Sequence, residues 1–316
     1  MPVIPSSACA KAILFGEHAV VYGEAAIALP ISNLRVKALC EPGIGLPSGT
    51  VIIQVPNLGL DTSLQAMDRG HPIALAIRGT LEALEIQAQP SFCLRVNSNF
   101  PFKAGLGGSA ALAVAISRSL SAFLGHPLNT DAVNCVAFQS EVAAHGSPSG
   151  IDNSVISLEA PLYYIKGEKN IILKPKKNLS FLIADTGLAK KTGEIVSEMA
   201  RKTQTDLQVR AIMAEIGAIA KSGRYAFEEG NAKELGLLMD QNHALLSQLG
   251  LSCPELDKIV NSARQAGAYG AKLTGGGRGG CALMLIEQNQ QETIHKKIIE
   301  AGAKQVFVFI LAGSGA

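Results

Sequence analysis

Apolar and polar positions alternate over short stretches through the first hundred residues and then give way to longer runs with helical spacing. The alternation predicts strands at 8–15, 26–31, 34–39, 51–55 and 92–96, with turns at 41–45 and 56–59. A core helix is expected over 72–86, a second over 112–124, and a third over 131–144 with Thr130 as its N-cap. Residues 145–153 read as a loop, because Pro148 and two glycines interrupt any helical pattern. A basic, loop-like stretch at 166–177 marks a boundary, dividing the chain into domains 1–170 and 171–316. Beyond it come a buried strand at 179–184, a polar loop at 185–192, and helical patterns at 193–202, 206–229, 232–248 and 255–266. Met213, Ile216, Ile219 and Ala220 share one face, which reads as helix packing. A glycine-rich loop at 271–281, a strand at 282–286, a helix at 291–301 and a strand at 305–311 complete an α+β second half. There is no internal repeat.

Composition narrows the function classes. The 316 residues are enough for two ordinary domains, and 47% of them are hydrophobic, so a sizeable core is available. The formal net charge is only +2 and the basic residues are scattered, which argues against nucleic acid or a membrane surface as partner. The six cysteines lie far apart with no C-x-x-C pair, so neither a zinc site nor a disulfide framework is indicated, and a reduced, cytoplasmic setting fits. No basic residue precedes Lys11 and no long apolar run opens the chain, so no signal peptide is expected. No run approaches the ~20 apolar residues that a membrane-spanning helix needs.

The densest chemistry lies in Pro101-Phe-Lys-Ala-Gly-Leu-Gly-Gly-Ser-Ala-Ala111, where a loop after a strand becomes a helix. Backbone amides of a first helical turn have no partner inside the helix, and the helix dipole adds positive potential. Together they suit a phosphate, and Ser109 adds a hydroxyl able to reach a phosphate or a metal. No lysine follows the last glycine, so this is not a Walker A loop. Gly105, Gly107 and Ala110 also match G-x-G-x-x-A, as in a dinucleotide-binding unit, although Asn97-Ser-Asn-Phe-Pro101 separates them from the strand. Close helix–loop packing without a ligand is the third reading.

Three further clusters stand out. Lys11 interrupts an apolar strand, either as a snorkelling surface residue or as a cation held in a site. Glu17 and His18 follow directly, as a capped turn or as a polar cluster. Glu141 and the segment His145-Gly-Ser-Pro-Ser-Gly-Ile-Asp-Asn153 lie between apolar runs, where a loop should be partly enclosed. Glu141 and Asp152 offer two carboxylates, suited to Mg²⁺ beside phosphates or to orienting a hydroxyl. The loop Lys272-Leu-Thr-Gly…Gly-Gly-Cys281 contains G-x-G-x-x-G at Gly275, Gly277 and Gly280. A strand follows it where a Rossmann site would have a helix, so it reads as a strand-to-strand loop packed against the nucleotide loop or the substrate.

In this order, Lys11…Gly16-Glu-His-Ala-Val-Val, the glycine–serine loop, His145–Asn153 and Lys272…Cys281 resemble the GHMP small-molecule kinases over nearly the whole chain. The first and third motifs resemble most closely the members that act on mevalonate. The resemblance implies an α+β, two-domain fold, with an N-terminal domain like ribosomal protein S5 and a C-terminal ferredoxin-like domain. It implies ATP, Mg²⁺ and phosphorylation of the C5 hydroxyl of mevalonate, in a protein that is often a homodimer. By the same resemblance, Lys11 and Asp152 match the catalytic pair, and both also face the substrate. Ser109 and Glu141 match the Mg²⁺ ligands. Gly105, Leu106, Gly107, Gly108, Ser109, Ala110 and Ala111 match the phosphate loop. Glu17, His18 and Thr192 match the substrate side, and Asn57 and Ser98 match positions lining the nucleotide.

The chain departs from the pattern at three places. Cys9-Ala10 stands where Pro-Gly is usual, Gly108 replaces a serine, and Arg278 replaces a glycine. Losing the serine removes one hydroxyl from the phosphates, and Arg278 is expected to supply a compensating cation near them. Other readings are a kinase acting on phosphomevalonate or on the 3-hydroxyl of mevalonate, a nucleotide-binding sensor without turnover, and, more remotely, an NAD-dependent dehydrogenase. No extra basic cluster near 15–25 or 145–153 supports a phosphorylated substrate.

Overall fold

The computed structural model describes residues 5–188 and 193–315, with the backbone of Thr192. They form two compact units. The first comprises Met1–Lys11, Pro30–Phe102 and Gly107–Glu159, and the second Ala12–Leu29, Lys103–Leu106 and Ala160–Ala316.

The chain opens with β1 (Ser6–Phe15) and β2 (Ala26–Pro42), which pair with each other. β2 is one 17-residue strand where the sequence suggested two. Ser32 and Asn33 look like a turn, but they remain extended and exposed while Ile31 and Leu34 on either side stay buried. In the first unit β2 pairs antiparallel with β5 (Phe92–Ser98) from Val36–Ser98 to Pro42–Phe92. β5 pairs parallel with β3 (Val51–Val55), and β3 closes a hairpin with β4 (Leu60–Ser63).

Helices α1 (Pro72–Ala83), α2 (Gly108–Phe123) and α3 (Thr130–His145) pack against one another. α1 starts where expected, with Pro72 in its first turn and the His71 ring accepting from the Ile73 amide at 3.2 Å. α2 is buried on nearly every side, 13 of its 16 residues, which explains its run of small and apolar side chains. Two of its buried serines are satisfied, one within the helix and one across to β2: Ser117 donates to the Ala113 carbonyl, and Ser119 accepts from the Cys40 amide. The cap of α3 is Asn129 rather than Thr130, its side chain accepting from the Ala132 amide at 2.9 Å.

A short helix, α4 (Ile151–Leu158), follows the His145 segment. Asp152 therefore sits in a helix, not in the loop expected for it. The reason is Gly150, which takes φ 91° at the N-cap and lets the chain turn straight into α4. At the other end Glu159 (φ 49°) receives both Arg35 and Arg118, at 2.9 and 2.6 Å, which fixes the helix that carries Asp152.

In the second unit the start of β2 pairs with β6 (Leu162–Tyr164), which pairs with β7 (Ile171–Ile172). The remaining elements are β8 (Leu179–Asp185), α5 (Thr192–Thr205), α6 (Leu207–Glu229), α7 (Ala232–Gln248), α8 (Pro254–Gln265), β9 (Gly270–Thr274), β10 (Cys281–Ile286), α9 (Gln291–Glu300) and β11 (Gln305–Leu311). Four strands form a fully antiparallel sheet in the order β11-β8-β10-β9. Met199, Ile216, Leu246, Leu256, Leu273 and Met284 belong to one core formed by this sheet and its helices. α7 lies directly on β9, where a Cβ on Gly236 would collide with the Tyr269 carbonyl. On α6, Met213, Ile216 and Ala220 are buried and Ile219 is half-buried, as their spacing predicts.

Candidate active site

The glycine loop enters α2 through two left-handed residues, Gly105 (φ 81°) and Gly107 (φ 75°). The Ala111 amide already bonds the Gly107 carbonyl at 2.9 Å. The amides of Gly108, Ser109 and Ala110 precede that bond, so they lie outside the helical ladder. No acidic residue occupies this first turn. A Cβ on Gly107 would lie 2.8 Å from Lys11 Cγ and 2.9 Å from Ile156 Cδ1, so the loop rests on the lysine stem. A Cβ on Gly108 would lie 2.6 Å from the Phe102 carbonyl oxygen. The serine that the family pattern offers at 108 therefore has no room in this backbone.

Lys11 is buried in β1 and does not snorkel to the surface. Its ammonium is 3.1 Å from Asp152 Oδ2, with the side chains 5% and 31% exposed. Asp152, in the first turn of α4, is favoured there by the helix dipole. Beside the pair, Glu141 is buried on α3, one turn before His145. His145 Nε2 lies 3.2 Å from Ser109 Oγ and 3.7 Å from Glu141 Oε2. Burial first, and then the Asp152 charge, push the Glu141 carboxyl up to about 7, against the Ser109 hydrogen bond and Lys11. Burial holds His145 below its ordinary value, so its imidazole is neutral at pH 7.

Glu141 Oε1 has no hydrogen-bond partner among the described residues. A buried carboxylate oxygen in want of a partner, beside the Ser109 hydroxyl, fits a hard cation. No group of three His, Cys, Asp or Glu side chains placed to hold a metal ion by themselves occurs among the described residues. A cation held by Ser109 and Glu141 would complete its shell with phosphate oxygens and water, the habit of Mg²⁺ rather than of zinc.

Asn57 and Ser98 come together as a reciprocal pair. The Asn57 amide donates to the Ser98 carbonyl (3.2 Å), and the Ser98 amide donates to Asn57 Oδ1 (2.9 Å).

The second unit holds a separate polar cluster. Glu17 binds Lys272, and both side chains are closed off, 1% and 0% exposed. Lys272 also donates to the Leu273 carbonyl at 2.6 Å. Glu17 thus faces protein rather than open space, contrary to the expectation that it contacts substrate. His18 takes φ 60°, and its Nε2 lies 3.1 Å from the Gly276 carbonyl. A carbonyl only accepts, so Nε2 carries the proton and Nδ1 is left as an acceptor. Burial lowers the His18 pKa, which keeps the ring neutral. Thr192 belongs to this set by resemblance, but its side chain lies outside the described residues.

The loop 275–280 joins β9 to β10, as the sequence indicated, and packs closely on part of the glycine loop. A Cβ on Gly275 would lie 3.3 Å from the Gly105 carbonyl, one on Gly280 would lie 3.2 Å from that of Ala104, and Cys281 Sγ is 3.2 Å from the Ala104 carbonyl. Arg278 does not offer its charge to a phosphate. Both its terminal nitrogens bind Glu198, at 2.6 and 2.9 Å.

Sequence reasoning missed three partners: His145 for Ser109, Lys272 for Glu17 and Glu198 for Arg278. None left a direct local signal; the four-residue spacing of Glu141 and His145 on one helix face only placed His145 beside Glu141.

Comparison with known proteins identifies the family. Residues 74–160 match the GHMP kinases N terminal domain, and residues 224–304 match the GHMP kinases C terminal family. A mevalonate kinase of Aeropyrum pernix is 34% identical over 98% of this chain and 97% of its own length. One from Methanocaldococcus jannaschii is 32% identical, covering 91% of this chain and 93% of its own. Among solved structures, L. major mevalonate kinase in complex with R-mevalonate superposes with a TM-score of 0.82 at 29% identity, covering 99% of this chain and 97% of that one. Streptococcus pneumoniae phosphomevalonate kinase reaches the same TM-score at 16% identity, a likeness of fold alone. With both GHMP kinase domains matched and relatives aligned over nearly their whole length, the chain belongs to the GHMP kinases.

Proposed function

We infer that this chain transfers the γ-phosphoryl group of ATP to the C5 hydroxyl of mevalonate. The observation that carries the chemistry is the Lys11–Asp152 pair, 3.1 Å apart and set against Gly107 of the phosphate loop. The choice of mevalonate rests on the relatives. Asp152 accepts the C5 hydroxyl proton as the oxygen attacks the γ-phosphorus, and ADP leaves. Lys11, paired with Asp152, favours the alkoxide and steadies negative charge on the transferring group. The amides of Gly108, Ser109 and Ala110 bind the phosphates. Ser109 and Glu141 would hold Mg²⁺, which neutralises charge on the triphosphate. His18 hydrogen-bonds mevalonate with a neutral ring, and Thr192 joins it on the substrate side. Glu17, through Lys272, holds that cluster in place. Asn57 and Ser98 border the nucleotide.

The reading includes a nucleotide-binding domain at 1–170, a ferredoxin-like domain at 171–316, a homodimer and a cytoplasmic location. Among the described residues no helix is long and apolar enough to cross a membrane.

The test is ADP release with Mg·ATP in three arms: mevalonate, phosphomevalonate and no acceptor. The reading requires release with mevalonate alone and a 5-phosphorylated product by mass spectrometry. Release with phosphomevalonate would overturn the substrate. Silence in all arms, with ATP still raising the melting temperature, would mark a nucleotide-binding protein without turnover.

A further inference from the structure

Arg278 is an unusual residue for its place. It adopts φ 55° in a loop where Gly275, Gly277, Gly279 and Gly280 also have positive φ. Glycine takes this conformation freely, whereas a residue with a Cβ is strained in it. The side chain gives the compensation. Its two terminal nitrogens grip both oxygens of Glu198, and Nε donates to the Gly250 carbonyl at 2.9 Å. The Arg278 amide donates to the Leu251 carbonyl at 2.7 Å, and a Cβ on Gly277 would collide with that same carbonyl. Only a planar guanidinium makes such a fork while a third nitrogen reaches a carbonyl. The anchor is firm, because Glu198 lies on α5 between Ile195 and Met199, both buried in the core of this unit. Two residues before Arg278, the Gly276 carbonyl meets His18.

We propose that Arg278 is a positioning residue for substrate binding: by fastening the loop 275–280 to Glu198 and Gly250, it holds the Gly276 carbonyl that orients the His18 ring. The proposal deepens the mevalonate kinase reading and rests on it for the identity of the ligand. His18 Nδ1 faces the substrate as an acceptor only while Nε2 stays on Gly276. Freeing the loop lets the ring turn away. The hydrogen bond from mevalonate to Nδ1 then weakens to the same extent in the bound substrate and in the transition state. A uniform weakening of that kind raises KM and spares kcat.

Three variants of the full chain test this: Arg278→Gly, Glu198→Gln and the two combined. Glycine suits the backbone at 278, so Arg278→Gly should melt within about 2 °C of the parent. Each single variant should raise the KM for mevalonate by about 5- to 10-fold with kcat within about 2-fold, and the double variant should be no worse than the worse single. A second readout needs no turnover. In ¹⁵N-histidine spectra, the His18 ring signals, assigned through His18→Asn, should shift in Arg278→Gly while those of His243 stay in place. An unchanged KM, an unmoved His18 signal, or a fall in kcat together with the melting temperature would each overturn the proposal. If the parent itself shows no turnover with mevalonate, the substrate reading fails, and the His18 signals still decide whether the clamp exists.

Discussion

Each unit of this protein contains a carboxylate paired with a buried lysine, and these two pairs differ in what can reach them. In the first, Lys11 is buried but Asp152 keeps 31% of its side chain exposed, at the first turn of a helix. In the second, Lys272 and Glu17 are sealed at 0% and 1%. The same two side-chain types serve different ends. An open carboxylate backed by a hidden cation is able to take a proton from a bound hydroxyl. A closed pair only holds parts of the chain together, here the turn at 16–18 and the strand β9. Motif membership does not distinguish them, since Glu17 and Asp152 both lie in motifs of the family. Burial does.

The comparison can be broken by removing one lysine at a time. Lys272→Met strands the Glu17 carboxylate in the interior and should cost about 3–5 kcal/mol, read as a lower urea midpoint. Changing Glu17 to Met as well should recover much of that loss, because a well-packed apolar pair replaces two buried charges. If Lys272→Met left the midpoint unchanged, the sealed pair would have no structural role. Lys11→Met should reverse the pattern, cutting turnover by at least ~10²-fold. Its effect on stability should be the smaller of the two, because Asp152 can turn to water.

A smaller effect sharpens the contrast. His243 is buried close to Lys272, its Nδ1 accepting from the Leu273 amide at 3.2 Å. Burial first, then Arg264 and Lys272, lower its pKa to about 4 against the pull of Asp257. An unfolded histidine titrates near 6.5, so between these values the unfolded chain binds more protons. The His243 contribution to stability is therefore complete above about pH 6.5 and is lost as pH falls toward about 4, by roughly 1–3 kcal/mol in total. His243→Gln should flatten this part of the stability–pH curve. An unaltered slope would show that His243 is not held neutral.

Much of the fold was legible because periodicity carries it. The four long helical patterns of the second half appear close to their expected ends, since each has one apolar face and most carry a capping or glycine signal. What failed were local decisions settled by single residues. Ser32-Asn33 resembles a turn but remains strand, and Gly150 starts a helix where Pro148 suggested only loop. The candidate site shows in the sequence as motifs in order, because the left-handed turns at Gly105 and Gly107 and the close contact at Gly108 demand glycine. The site's internal pairing does not. Glu17 and Lys272 are 255 positions apart, and nothing in either neighbourhood names the other. Arg278 was expected near phosphate on charge alone, and Glu198 on α5 decided otherwise. The Gly108 departure, which looked like a lost ligand, follows from the Phe102 carbonyl that a side chain would strike.

The central claim is that the open pair does the chemistry, and Asp152→Asn tests it most directly. Asparagine keeps the shape of the side chain but accepts no proton. The account predicts ADP release with mevalonate reduced by at least ~10²-fold, while the urea midpoint stays close to the parent. Turnover within a few-fold of the parent would contradict it, and would place proton removal on a group other than Asp152.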